Sequence, residues 1–101
     1  MNKYETVIVM DSTITDEKRN KTINKFYNFI ANNGTITNKE EMGKRKLAYT
    51  IKKHEYAYYY VIEYETKAEN ILELERLCRI TDEVLKFMTV KKERNENLWI
   101  K

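Results

Sequence analysis

Between residues 43 and 53 the chain alternates. Leu47, Tyr49 and Ile51 fall on one parity, and Lys44, Lys46, Ala48, Thr50 and Lys52 fall on the other. Successive strand side chains point to opposite faces, so this stretch predicts a strand with an apolar row backed by a basic one. Residues 3–10 form a short apolar run around Val7, Ile8 and Val9, bounded by Asp11-Ser12-Thr13. Its length and β-branching predict a central strand, apolar on both faces. Residues 56–65, carrying Tyr56, Tyr58, Tyr59, Tyr60, Val61, Ile62 and Tyr64, predict a second central strand.

Helices fill the intervals. Ile23, Phe26, Tyr27 and Ile30 recur at helical spacing and predict a helix over 16–32, with Thr15 as N-cap and Asp16 and Glu17 at its positive end. Asn32-Asn33-Gly34 ends it, Gly34 in the left-handed conformation. Ile71, Leu74, Leu77 and Cys78 predict a helix over 67–79, opened by a capping box of Thr66 and Glu69. The second strand spans 35–52, interrupted by the polar run from Asn38 to Glu41, with Gly43 supplying a bulge or bend. Lys53-His54-Glu55 makes the next turn, and residues 84–92 form a last strand of mixed parity.

Strand, helix, strand, strand, helix, strand, with right-handed crossovers, gives an α+β, ferredoxin-like βαββαβ two-layer sandwich. Four antiparallel strands then carry both helices on one face. Leu47, Tyr49, Ile51, Ile62, Ile30 and Leu74 are expected to share the core. Val7, Val9, Tyr59 and Val61 are expected on the uncovered face, beside Lys46 and Ala48. An apolar sheet face rimmed by lysine is a contact surface, although the fold alone does not name the partner.

Composition narrows the class. A chain of 101 residues makes one domain, here residues 1–92, with 93–101 as a short polar C-terminal tail. With 42% hydrophobic and 35% charged residues it is globular rather than disordered. The net charge of +3 is compatible with a polyanionic partner and does not establish one, because placement decides. A lone cysteine, Cys78, excludes an internal disulfide framework and fits a reducing compartment and a buried apolar role. No apolar run is long enough for a membrane span, and the N-terminus enters a strand pattern without a signal-peptide core. A cytoplasmic protein is therefore expected, an organellar one being the lesser alternative.

The decapeptide Gly43-Lys44-Arg45-Lys46-Leu47-Ala48-Tyr49-Thr50-Ile51-Lys52 resembles the signature of the bacterial small-subunit ribosomal protein family numbered six. That pattern runs glycine, any, basic, polar, Leu-Ala-Tyr, any, Ile. Lys3-Tyr4-Glu5 resembles the start of the family's first strand, Asn33-Gly34 its helix-ending glycine, and Tyr58 the tyrosine of its third strand. Residues 77–82, followed by Val84-Leu85-Lys86 and Val90-Lys91, are similar to its last turn and strand. Thr50 stands where the family often has proline, and the tail is short and mixed rather than long and acidic. The resemblance implies an RNA-binding structural protein of the small ribosomal subunit, without enzymatic activity or cofactor. It would join the central domain of small-subunit rRNA as a heterodimer with the small basic ribosomal protein numbered eighteen.

Read on their own chemistry, Lys3, Lys44, Arg45, Lys46, Arg79, Lys86 and Lys91 fall at strand ends and on strand faces and suit phosphate contact as a group on one side. Arg45 and Arg79 are the candidates for specific contacts, because guanidinium binds phosphate bidentately or stacks on a base. Tyr49, Tyr59 and Trp99 are the candidate partner contacts. His54 stands alone in a turn, with no second ligand spaced to hold a metal.

Two rivals share the topology. A stand-alone RNA-recognition domain would want glycine where Glu55 stands, and an aromatic in the first strand. A small acylphosphatase would want an anion-cradling loop where Asp11-Ser12-Thr13 puts a carboxylate.

Overall fold

The computed structural model describes residues 2–92. Its elements are β1 (Asn2–Asp11), α1 (Asp16–Asn33), β2 (Gly34–Ile51), β3 (His54–Thr66), α2 (Ala68–Ile80) and β4 (Val84–Lys92). They form the expected βαββαβ sandwich. The sheet is antiparallel throughout, in the order β2-β3-β1-β4, so the two apolar strands read as central are the central ones.

Helix α1 starts where its cap predicts. Thr15 Oγ1 accepts a hydrogen bond from the Lys18 backbone N–H at 3.1 Å, satisfying one of the orphan donors of the first turn. Ile23, Phe26, Tyr27 and Ile30 pack on the sheet as one buried stripe. Beneath them lie Tyr4, Ile8 and Met10 of β1 and Tyr60, Ile62 and Tyr64 of β3, with Leu74 and Cys78 closing the core from α2. Thr6, the one polar residue in that β1 row, bonds Tyr64 Oη at 2.7 Å and Thr89 Oγ1 at 2.8 Å, so its burial leaves no unmet group.

Gly34 is not in the left-handed conformation. Its φ is −177°, extended backbone that opens β2. Glycine is needed there for closeness instead: a Cβ would collide with the Glu65 carbonyl oxygen and lie 2.9 Å from Thr66 Cβ. Nor does Thr66 cap α2, whose N-cap is Lys67 with no side-chain bond. Thr66 Oγ1 donates to the Asn33 carbonyl at 2.7 Å and accepts from Asn70 Nδ2 at 2.9 Å. It therefore ties the end of α1 to the start of α2.

Strand β2 also departs from expectation. Residues 38–41 stay in the ladder, paired with residues 60–63 of β3, and the pairing shifts register at Ile36/Asn38 and again at Glu41/Gly43. Gly43, at φ +79°, accommodates the second shift, a conformation costly for residues with a Cβ. The turn to β3 is Lys52-Lys53, and His54 already belongs to β3.

The core placement of Leu47, Tyr49 and Ile51 is corrected. Leu47 is buried on the other side of the sheet, with Val9, Ala57 and Leu85, and Ile51 packs half-buried against that cluster. Tyr49 remains 69% exposed. The mixed parity of β4 has a similar cause. A shift opposite Val9/Met10 lets Val84 enter the helix-side core while Leu85 joins the opposite cluster.

Candidate functional site

The face of the sheet without helices is built by alternation along four strands. Val7 and Val9 of β1, Ala57 and Tyr59 of β3 and Met88 of β4 share it through the register pairs Val7–Met88 and Val9–Tyr59. Between Lys46–Tyr56 and Ile51–His54 the β2–β3 ladder is irregular. There Leu47 packs onto Val9, Ala57 and Leu85. The result is a shallow cleft of about 180 Å³, floored by Val7, Val9 and Tyr59 and walled by Leu47, Tyr49 and Met88. Met88 is 56% exposed, a large apolar side chain left open to solvent among the described residues.

The cations divide by the two ends of the sheet. Lys86 pairs with Val9 and lines the cleft. Arg45 pairs with Ala57, on the same face and at the same end, and its Nε donates to the Met42 carbonyl at 3.0 Å. Lys44 and Lys46 pair with Tyr58 and Tyr56 on the opposite parity, so Lys46 does not sit beside Val9 as expected. Lys44 Nζ lies 5.3 Å from the Tyr56 ring centre, a geometry in which the ring face attracts the ammonium. Arg79, exposed in the last turn of α2, is on the helical layer rather than on a strand. Its helix leads to Glu83, whose carbonyl accepts from the Asp11 N–H at 2.9 Å, so it too lies at this end.

Lys3 and Lys91 do not join them. Lys3 pairs with Lys92 and Glu65, and Lys91 with Tyr4, at the far end of β1. That end is mixed in sign: Glu5 and Glu63 face each other across the β1–β3 ladder, and Lys92 Nζ bonds Glu63 Oε1 at 2.8 Å. The bonds from Lys92 and from Asn38 hold the Glu63 carboxyl below its ordinary range. The seven predicted cations therefore do not form one patch. Of the predicted partner contacts, Tyr49 and Tyr59 both line the cleft, while Trp99 lies outside the described residues.

The fold agrees with comparisons to known proteins. The model of the family described as Ribosomal protein S6 matches residues 3–91. The chain belongs to the ribosomal protein S6 family. It is 40% identical over 99 residues to the small ribosomal subunit protein bS6 of Nitratiruptor sp., covering 97% of this chain and 77% of that one. It is also 40% identical over 94 residues to bS6 of Alkaliphilus oremlandii, covering 93% of this chain and 100% of that one. Among solved structures, the 30S ribosomal protein S6 of Thermotoga maritima superposes with a TM-score of 0.85 at 30% identity, covering 89% of this chain and 86% of that one.

Membership makes this a structural protein of the small ribosomal subunit, in a family that is not an enzyme family. A bacterial ribosomal family implies a cytoplasmic ribosome, and no helix among the described residues is long and apolar enough to cross a membrane. The loop after β1 has its own use in this S6-family chain. Asp11 Oδ1 accepts from Thr13 N–H at 2.7 Å and Thr13 Oγ1 at 2.6 Å. Burial raises the Asp11 carboxyl, but those two bonds and His54, with Nδ1 3.6 Å away, bring it below its ordinary value. An ionised carboxylate that consumes the loop's donors opposes an incoming anion.

Four residues on this face or at its edge escape a sequence reading. Met88 and Leu85 sit in the mixed-parity strand, where only the register shift decides which side they join. Lys52 and Lys53 form the hairpin tip with φ of +49° and +72°. Their two-residue spacing between paired strands is a hairpin signal, but asparagine and glycine, which normally mark such a turn, are missing.

Proposed function

We propose that this S6-family chain binds the central domain of small-subunit rRNA and does so together with the small basic ribosomal protein numbered eighteen. The observation that carries the reading is the open face itself: an apolar cleft with Tyr49 and Met88 exposed, bordered at the same end by Arg45 and Lys86. The apolar part suits a protein, and the cationic border suits phosphate. Arg45, Lys44, Lys46, Lys86 and Arg79 make the main RNA contact, and Lys3 and Lys91 a separate, weaker one at the far end. Tyr49 and Tyr59 meet the partner protein.

Reading single-stranded bases on the sheet is disfavoured by the same geometry. Stacking needs aromatic platforms on the central strands. On the open face β1 offers Val7 and Val9, and β3 offers Tyr59, while Tyr60 and Tyr64 are consumed by the core. Shape and phosphate are left as the means of binding. A few phosphate contacts give a salt slope of roughly −0.7 to −0.9 each, so the chain alone binds weakly near physiological salt. A partner covering the cleft adds its own cations and makes the two binding events cooperative.

The test is a salt titration of central-domain rRNA binding, with and without the partner protein. Cooperative binding, weakened by Arg45→Ala, is expected. Tight, sequence-selective binding by this chain alone, indifferent to Arg45→Ala, contradicts the proposal.

A further inference from the structure

The tip of the β2–β3 hairpin combines strain with unused charge. Lys52 and Lys53 are both left-handed, at φ +49° and +72°. Two successive residues with positive φ match the twist of the flanking strands, and glycine or asparagine occupies such positions with the least crowding between Cβ and backbone. Lysine has no local hydrogen bond to offer in compensation. Both side chains are exposed, and among the described residues neither makes an ion pair. Asp11, which faces His54 next to the tip, is bonded to Thr13, and Glu55 pairs with neither lysine. The Ile51–His54 pair closes the ladder directly beneath, so the backbone of the tip is held while its cations project beyond the sheet. Backbone strain that persists although better turn residues exist marks a position where the side chains have work elsewhere.

We propose that the Lys52–Lys53 tip is a two-cation clamp on the phosphate backbone of RNA, extending the cationic end formed by Arg45, Lys46 and Lys86. This rests on the rRNA-binding reading and adds a contact site to it. Ammonium groups on flexible stems suit phosphates, whose positions vary, and carry no base selectivity. The clamp therefore contributes affinity and salt dependence rather than choice of sequence.

Two full-length double variants separate charge from strain. Lys52→Gln with Lys53→Gln removes the charges and keeps the awkward turn. Lys52→Asn with Lys53→Gly removes the charges and relieves the turn. Each is titrated with salt against a central-domain rRNA fragment with the partner protein present, and each is unfolded in denaturant. Both variants are expected to lose roughly 1.4–1.8 from the magnitude of the salt slope, so a fourfold rise in salt costs them about tenfold less affinity than it costs the parent. The Asn-Gly variant should also unfold at a higher denaturant concentration than the parent, binding RNA less well while folding better. A purely structural tip moves the unfolding midpoint and leaves the slope alone. Unchanged slopes in both variants, with parent binding intact, overturn the clamp and spare the proposed function. Absence of salt-dependent rRNA binding by the parent overturns both. Loss of binding to anionic lipid vesicles instead, with RNA binding unchanged, assigns the tip to a membrane surface and also overturns the clamp.

Discussion

The two faces of the sheet are finished to different degrees. On the helix side, Ile8, Phe26, Ile62, Tyr64 and Leu74 are at most 1% exposed. On that side the buried Thr6 is bonded to both Tyr64 and Thr89. On the open side, Val9, Leu47, Ala57 and Leu85 make a small cluster only because the end of β2 lies over it. Beyond that cluster Met88, Val90 and Tyr49 stay exposed. One face accounts for the fold, and the other carries more apolar surface than the fold uses. Surplus apolar surface beside cations is what a chain needs when its last layer comes from other molecules.

The largest expected effect lies on the finished face. Leu74→Ala should cost about 2–5 kcal/mol in denaturant unfolding, because it opens a cavity beneath α2 that close-packed neighbours cannot fill. A loss below about half a kcal/mol would place Leu74 outside the core and erase the contrast.

Alkaline pH probes the same side. Burial pushes the Cys78 thiol from 9.0 to about 12 and the Tyr64 hydroxyl from 10.0 to about 12, and burial with Glu41 nearby raises Tyr27 likewise to about 12. The folded chain keeps these protons after the unfolded chain has released them. Stability should thus be full below pH 9 and fall as pH rises from there towards 12. A flat stability curve across that interval would contradict their burial.

Leu47→Ala sharpens the comparison from the open side. Its cluster is small and bordered by solvent, so the cost should sit near the low end of the usual range, at about 2 kcal/mol. A penalty larger than that of Leu74→Ala would reverse the ranking of the faces. Acid is gentler still. Glu63 is held below 4.5, chiefly by Lys92 and then by Asn38, so its contribution is present above that pH and lost as pH falls through the lowered value. Both side chains of the pair are partly exposed, at 32% and 26%, and water screens the gain. Lys92→Ala should flatten this acid limb and leave the alkaline one unchanged. The smallest effect is Tyr49→Ala, within about half a kcal/mol of the parent in stability, while binding to the partner protein weakens.

Much of this architecture is legible in the order of residues. Ile23, Phe26, Tyr27 and Ile30 announce α1, and the tyrosine-rich run announces a central strand, although only its helix side is well buried. Alternation in residues 43–53 correctly groups Leu47, Tyr49 and Ile51 on one parity. It does not say which side of the sheet that parity faces, since the shifts at Ile36/Asn38 and Glu41/Gly43 come between. Gly34 illustrates a different limit. A glycine after two asparagines reads as a helix stop, but the close approach of Glu65 and Thr66 is visible only once the strands are paired. The same holds for the cations. Lys3 and Lys91 are separated from Arg45 and Lys86 by the length of β1, a distance set by register and absent from the residue types.

Hydroxyl-radical footprinting of this chain, free and within the assembled small subunit, tests most directly whether the open face is where other molecules complete the protein. Tyr49, Tyr59 and Met88 report on the cleft, and Leu72, 70% exposed on α2, reports on the helical layer. The expected result is strong protection of Tyr49 and Met88 on assembly, with a much smaller change at Leu72. Equal reactivity of Tyr49 and Met88 in both states, with protection at Leu72 instead, would contradict it.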